Sequence, residues 1–134
     1  MKRPTAQIVS AGLLAAITVL WIASCSPNRV TLPMSPQFVS QGRDVLAAIK
    51  RCDRSHRGPF IAYDPLLRNA RQSLDNLHAG NTAERTARQA LLDYLSAIEF
   101  VRGDWDHFDQ TARAKILRDE TARAHAEADA TRIF

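Results

Sequence analysis

Apolar residues fall into one dense, uncharged run and four periodic ones. The dense run covers residues 8–23, contains Leu13, Leu14, Ile17, Val19, Leu20, Trp21 and Ile22, and carries no charge. It is short for a membrane span, which takes about 20 apolar residues. The later stretches repeat at helical spacing. Phe38, Val45, Leu46, Ile49 and Cys52 predict a first helix over residues 36–52, with Lys50, Arg51 and Arg54 crowding its end and Gly58-Pro59 breaking the chain after it. A second helix is expected with Asp64 as its cap, Pro65 at its first position and Gly80 past its end. Its inner face would carry Leu66, Ala70, Leu74 and Leu77, with Leu67 beside them, and its outer face Arg68, Arg71, Gln72, Asp75 and Asn76.

Asn81 followed by Glu84 resembles a capping box and opens a third helix. Ala83, Ala87, Leu91, Tyr94, Leu95, Ile98 and Val101 form its main stripe, and Gly103 is expected to end it. Leu92 and Phe100 lie off that stripe, on either side of Ser96. Either the third helix is central and touches neighbours on two faces, which is the simpler expectation, or these two residues await a partner. A fourth helix is expected from residues 104–106, with Trp105, Phe108, Ala112 and Ile116 on one face. Past Leu117 the pattern thins to alanine and charge, so this end is expected to extend beyond the bundle or fray. The i,i+4 pairs Lys115/Asp119, Asp119/Arg123 and Arg123/Glu127 support it as a solvated helix. Ile133 and Phe134 make an apolar tip, free to dock on the domain or on a partner.

No stretch alternates as a strand, and no repeat stands out. The fold class is therefore all-α: a small three- to four-helix bundle of about 95 residues, after an N-terminal signal or anchor helix and a Pro-rich tether. A domain of that size is near the lower limit for self-sufficient stability, and a homodimer would help it.

The start of the chain adds an address. Lys2 and Arg3 precede the apolar run, and the small residues Ala23 and Ser24 close it directly before Cys25. A charged start, an apolar middle and a small-residue end are the pattern of a secretory signal peptide. Ile22-Ala23-Ser24-Cys25 resembles the lipobox of bacterial lipoproteins. That resemblance covers only the first 25 or so residues and implies nothing about the fold that follows. It implies cleavage between Ser24 and Cys25, a diacylglycerol on the Cys25 thiol and a fatty acyl chain such as palmitate on the new amine. Two or more chains anchor a protein stably where one does not. Ser26, rather than Asp, follows Cys25; in the lipoprotein class this implies the outer membrane rather than the inner one. The competing reading is an uncleaved signal anchor, a single-pass inner-membrane protein. Both readings place the domain outside the cytoplasm. The organisation expected is residues 1–24 as signal, 25–36 as lipidated cysteine and extended tether, and 37–134 as helical domain, with the last 15 or so residues a candidate solvated extension.

Charge changes the picture modestly. The chain holds 18 Lys and Arg against 14 Asp and Glu, and loss of Lys2 and Arg3 with the signal leaves 16 against 14. The basic character is not a nucleic-acid signature, since no basic repeat with interleaved aromatics accompanies it. Residues 25–71 hold eight basic and three acidic side chains, and residues 72–134 hold eight and eleven. A basic half beside the anchor suits an anionic lipid surface, although ordinary surface charge gives the same imbalance. Three prolines within residues 26–36 favour an extended, stiff tether.

Candidate chemistry is sparse. Asp104, Asp106, His107 and Asp109 cluster around Trp105 and Phe108, but at an expected helix start, where Asp serves as cap, and without the spacing of a metal loop. No metal, cofactor or catalytic residue is assigned. Cys52 with His56 is one Cys-x-x-x-His pair, short of a zinc site. Once Cys25 is lipidated, Cys52 is the remaining thiol, expected to be buried in the core or joined to another chain by an intermolecular disulfide. The sequence thus points to a non-enzymatic envelope lipoprotein, held in the membrane through acylated Cys25. It would bind a protein partner as an accessory or assembly component of a periplasmic or outer-membrane complex, with Leu92, Phe100, Ile133 and Phe134 as candidate contacts. The alternative is a periplasmic inhibitor or immunity protein against a toxin or hydrolase.

Overall fold

The fold was obtained as a computed structural model, which describes residues 32–107 and 112–134. The apolar run, Cys25 and most of the tether lie outside the described residues. The described chain is all-α: α1 (Pro36–Asp53), α2 (Phe60–Asp75), α3 (Thr82–Asp106) and α4 (Arg113–Ile133). Helix α3 touches the other three and forms the centre of the bundle. None of these helices is long and apolar enough to cross a membrane.

Helix α1 forms where its periodicity places it. Ser35 caps it by accepting the Phe38 N–H at 3.2 Å, Pro36 follows at the first position, and Lys50 and Arg51 sit in its last turn. Phe38, Val45, Leu46, Ala48, Ile49 and Cys52 are buried. They meet Ala70, Leu74 and Leu77 from α2 and its exit, and Ala87, Leu91, Leu95 and Ile98 from α3. Each fully buried Leu or Ile of this cluster contributes about 1.5–3 kcal/mol relative to exposure.

Helix α2 starts earlier and stops sooner than its turn residues suggest. Pro59, in extended backbone, precedes its first turn, and Pro65 lies inside the helix. Pro65 removes one backbone bond, the one that Ile61 would accept, and Ile61 is exposed. Asp64 is not a cap; its carboxylate pairs with Arg68 one turn on, at 2.7 Å. The first turn was hidden because its apolar residues, Phe60 and Ile61, face solvent. After Asp75 the chain leaves the helix, yet Leu77 stays buried.

Helix α3 begins as expected: the Asn81 side chain accepts the Glu84 N–H at 2.9 Å. The Glu84 carboxylate accepts the N–H of Gly80 at 2.7 Å and that of Ser35 at 2.9 Å, so it joins the start of α1 to the start of α3. These backbone donors hold its carboxyl below the ordinary value. Asn81 also donates to the Pro33 carbonyl at 3.2 Å, and Met34 packs on the core. The last residues of the tether are therefore fastened to the bundle.

The other end of α3 differs from expectation. Gly103 does not stop the helix, which runs on to Asp106, and α4 starts at Arg113 rather than near residues 104–106. Gly103 lies within the helix, and a Cβ there would meet nothing within 4 Å. Asp104 and Asp106 thus occupy a helix end where negative charge is unfavourable, and cations answer them: Lys115 for Asp104, and Arg102 for Asp106 at 3.0 Å. Phe108 and Asp109 lie outside the described residues. Trp105 belongs to α3, not to a fourth-helix face shared with Ile116.

Helix α4 does not project from the bundle. It packs along α3 over its length, and its end is docked. Phe134 lies against Phe38 with ring centroids 6.0 Å apart, and Ile133 and Phe134 pack on the core. The Phe134 ring occupies the space that a Cβ at residue 42 would take, so Gly42 permits the contact. Arg43 donates to the Phe134 carbonyl at 3.0 Å. The apolar tip is therefore an intramolecular contact, which removes Ile133 and Phe134 from the candidate partner surface in this conformation.

Candidate functional site

Among the described residues, an apolar groove between α3 and α4 and a polar cluster where α1, α3 and α4 meet are candidates for binding or chemistry.

The groove encloses about 570 Å³. Its floor is made of small side chains, Ser96 and Ala97 from α3 and Ala122 and Ala126 from α4, with Phe100 on its rim. Phe100 is 67% exposed and Leu92 37% exposed. Helix α3 is central and touches neighbours on more than one face, as the simpler expectation has it, yet Leu92 and Phe100 still reach solvent. The rim bears Asp93 and the Asp119 carboxylate, with Lys115 held between Asp119, at 3.1 Å, and Asp104. Asp119 is held below the ordinary carboxylate value, and Lys115 above the ordinary lysine value, by hydrogen bonding within this group.

The polar cluster was not visible in the sequence. Its centre is Asp53, the last residue of α1, buried against α3 and α4. One carboxylate oxygen accepts the Tyr94 hydroxyl at 2.5 Å and the Arg123 guanidinium at 2.6 Å. Arg123 also donates to Glu120 at 2.9 Å and Glu127 at 3.3 Å. Glu120 accepts from Arg57 at 3.0 Å. His56, buried in the turn after α1, closes the cluster: Nδ1 faces the Asp53 carbonyl and its carboxylate, the latter at 3.2 Å, and Nε2 faces Glu120 at 3.2 Å. Arg102 of α3 pins the same turn by donating to the carbonyls of His56 and Gly58, at 3.1 and 2.5 Å. It also lies over the Tyr63 ring, 5.0 Å from its centroid.

The electrostatics follow from these contacts. Burial alone would raise Asp53, but hydrogen bonds from His56 and Tyr94 and the charge of Arg123 hold it below its ordinary value. Burial opposes Glu120 as well, and the bonds from Arg57, Arg123 and His56 prevail, holding it at about 2. His56 is raised by its bond to the Asp53 carboxylate, against burial, with further help from the Asp53 carbonyl and from Glu120.

The remaining candidates separate. Cys52 is fully buried and its thiol is pushed up to about 11, chiefly by burial and next by Asp53. It neighbours Tyr63, whose hydroxyl burial also raises. A disulfide to another chain would require the core to open. His56 turns to Asp53 and Glu120, so Cys52 and His56 make no ligand pair. His107 binds back to the Gly103 carbonyl at 2.9 Å. Among the described residues, no group of three or more His, Cys, Asp or Glu side chains is placed to hold a metal ion. No protein-family model matches the chain, and neither the curated proteins nor the solved structures contain a match.

Proposed function

We propose that this chain is a lipid-anchored protein of the bacterial envelope whose helical bundle binds another protein, as a non-enzymatic accessory or assembly component. The observation that carries the reading is Ile22-Ala23-Ser24-Cys25 at the end of an uncharged apolar run. Acylated Cys25 would hold the domain at the membrane, with the outer membrane favoured by Ser26. The groove beside Phe100 supports the binding part: one large apolar ring, exposed next to a floor of small residues, suits an inserted side chain or helix from a partner.

Two measurements test the two halves. Mass spectrometry of the protein from envelope fractions is expected to find a first residue Cys25 carrying acyl chains. An intact chain from Met1 with an unmodified Cys25 thiol would sink the anchor. A photocrosslinking residue in place of Phe100 is expected to capture a discrete protein in cells, and the same residue in place of Arg68 is not. Equal capture from both positions, or none from either, would sink the groove as the docking site.

A further inference from the structure

Helix α4 is attached unusually for a bundle helix. Of its 21 residues, only Ile116 and Ala130 are buried, near its two ends. Between them, Glu120, Arg123 and Glu127 turn toward the Asp53–His56 cluster. The middle of the helix is held by these charged contacts together with one small apolar one, Ala126 against the core.

The imidazole of His56 is the variable member of that cluster. Both of its nitrogens face groups that can only accept: the carbonyl and carboxylate of Asp53 at Nδ1, the carboxylate of Glu120 at Nε2. A neutral imidazole carries one N–H and can satisfy one side; the protonated ring satisfies both. The Asp53 contact stays within α1 and its turn. The Glu120 contact crosses to α4.

We propose that His56 is a proton-operated latch: its protonated ring fastens α4 to the end of α1, and loss of that proton loosens α4. Because α4 supplies one wall of the Phe100 groove, loosening α4 also takes the groove apart. Among the described residues, the charged and titratable groups around His56 come from three helices and the turn. Asp53 comes from α1 and Arg57 from the same turn. Tyr94, which acts through Asp53, and Arg102, which binds the turn's carbonyls, come from α3, and Glu120 and Arg123 come from α4. Arg123 and Tyr94 are both raised further above their already high ordinary values, so neither changes charge between acid and mildly alkaline pH. Asp53 and Glu120 are ionised at pH 5.5 and above, since both are held below their ordinary values of 3.8 and 4.5. His56 is raised above its ordinary 6.5. Its contribution is therefore complete below that value and disappears as pH rises through the folded-state value. His125, also on α4, is exposed and outside the cluster, and serves as a control.

The test uses the full chain in detergent micelles and two readouts by nuclear magnetic resonance. The first is amide protection of residues 114–130, corrected for intrinsic exchange, at pH 5.5 and pH 8.5. Protection is expected to fall at the higher pH in the wild type and in His125→Gln, and to become independent of pH in His56→Gln. The second is the titration midpoint of the His56 ring, which is expected to shift down in Glu120→Gln. A wild-type protection that does not change between the two pH values overturns the latch. So does a pH dependence that survives in His56→Gln, or a His56 midpoint that Glu120→Gln leaves in place. The wild-type comparison decides the matter even if a variant fails to fold.

Discussion

Helix α1, with 18 residues, and helix α4, with 21, both pack on α3, and they do so by different means. Helix α1 buries Phe38, Val45, Leu46, Ile49 and Cys52 along one continuous stripe. Helix α4 buries Ile116 and Ala130, lays Ala126 and Ile133 partly on the core, and adds Lys115 to Asp104, Arg123 to Asp53, Glu120 to His56 and Arg57, and the ring of Phe134 in the space left by Gly42. Apolar burial does not depend on protonation, and it gives way only when the core opens. An ionic clasp is directional and depends on protonation, and removing one partner costs more than its net contribution. The bundle therefore combines a fixed part, α1 to α3, with a fourth helix whose attachment responds to conditions. The groove that faces outward lies on the seam between the two.

That contrast can be broken or sharpened by substitution. The largest effect is expected at Ile49, which is fully buried in the fixed part: Ile49→Ala should lower stability by about 2–5 kcal/mol, read as a lower midpoint of denaturant unfolding for all four helices together. Asp53→Ala strips Arg123 and Tyr94 of their shared acceptor and should cost about 3 kcal/mol. Its effect should concentrate in α4, visible as lost amide protection there before α1 is affected. Gly42→Ala drives a methyl group into the Phe134 ring and should cost about 1–3 kcal/mol, with the Phe38–Phe134 contact broken in the ring proton spectrum. Phe100→Ser is expected to change stability by no more than about 0.5 kcal/mol, because the ring is largely exposed, while removing any partner capture at the groove.

The pH profile sharpens the same contrast. Asp53 and Glu120 are held below their ordinary 3.8 and 4.5, so their contributions are present above those values and are lost as pH falls through the folded-state ones. His56 is raised above 6.5 and contributes below that value, with the loss coming as pH rises. The clasp is complete between about 4.5 and 6.5. Thermal unfolding should show highest stability in that window, and His56→Gln should flatten the alkaline side alone.

How much of this could be read in advance follows the same division. The stripes of α1 and α3 were legible because burial there repeats at helical spacing, and the Asn81 cap because its partner Glu84 is three residues away. The start of α2 was misread because Asp64-Pro65 has the form of a helix opening, whereas the true first turn shows solvent two apolar residues, Phe60 and Ile61. The break at Gly103 was misread because glycine usually marks a helix end; here the burial of Val101 and Asp104 carries the helix past it. The docking of α4 was legible only at its ends, where Ile116 and the Ile133-Phe134 tip are apolar. Between them its contacts are alanines and charged groups, which look the same on a solvated helix. The pairing of Asp53 with Arg123 joins residues 70 apart in sequence, and nothing local marks either as a partner. The signal in the chain that came closest was the run of i,i+4 charges, of which Lys115/Asp119 and Arg123/Glu127 form, while Arg123 also reaches across to Asp53.

Native-state hydrogen exchange over a series of low denaturant concentrations tests the division of the bundle most directly. The account predicts that residues 114–130 exchange through a partial opening, with lower free energy and shallower denaturant dependence than the amides of Ile49, Leu91 and Ile98. If the amides of α4 share the free energy and slope of those core positions at every concentration, the four helices open as one unit, and the distinction between a fixed part and a clasped helix is wrong.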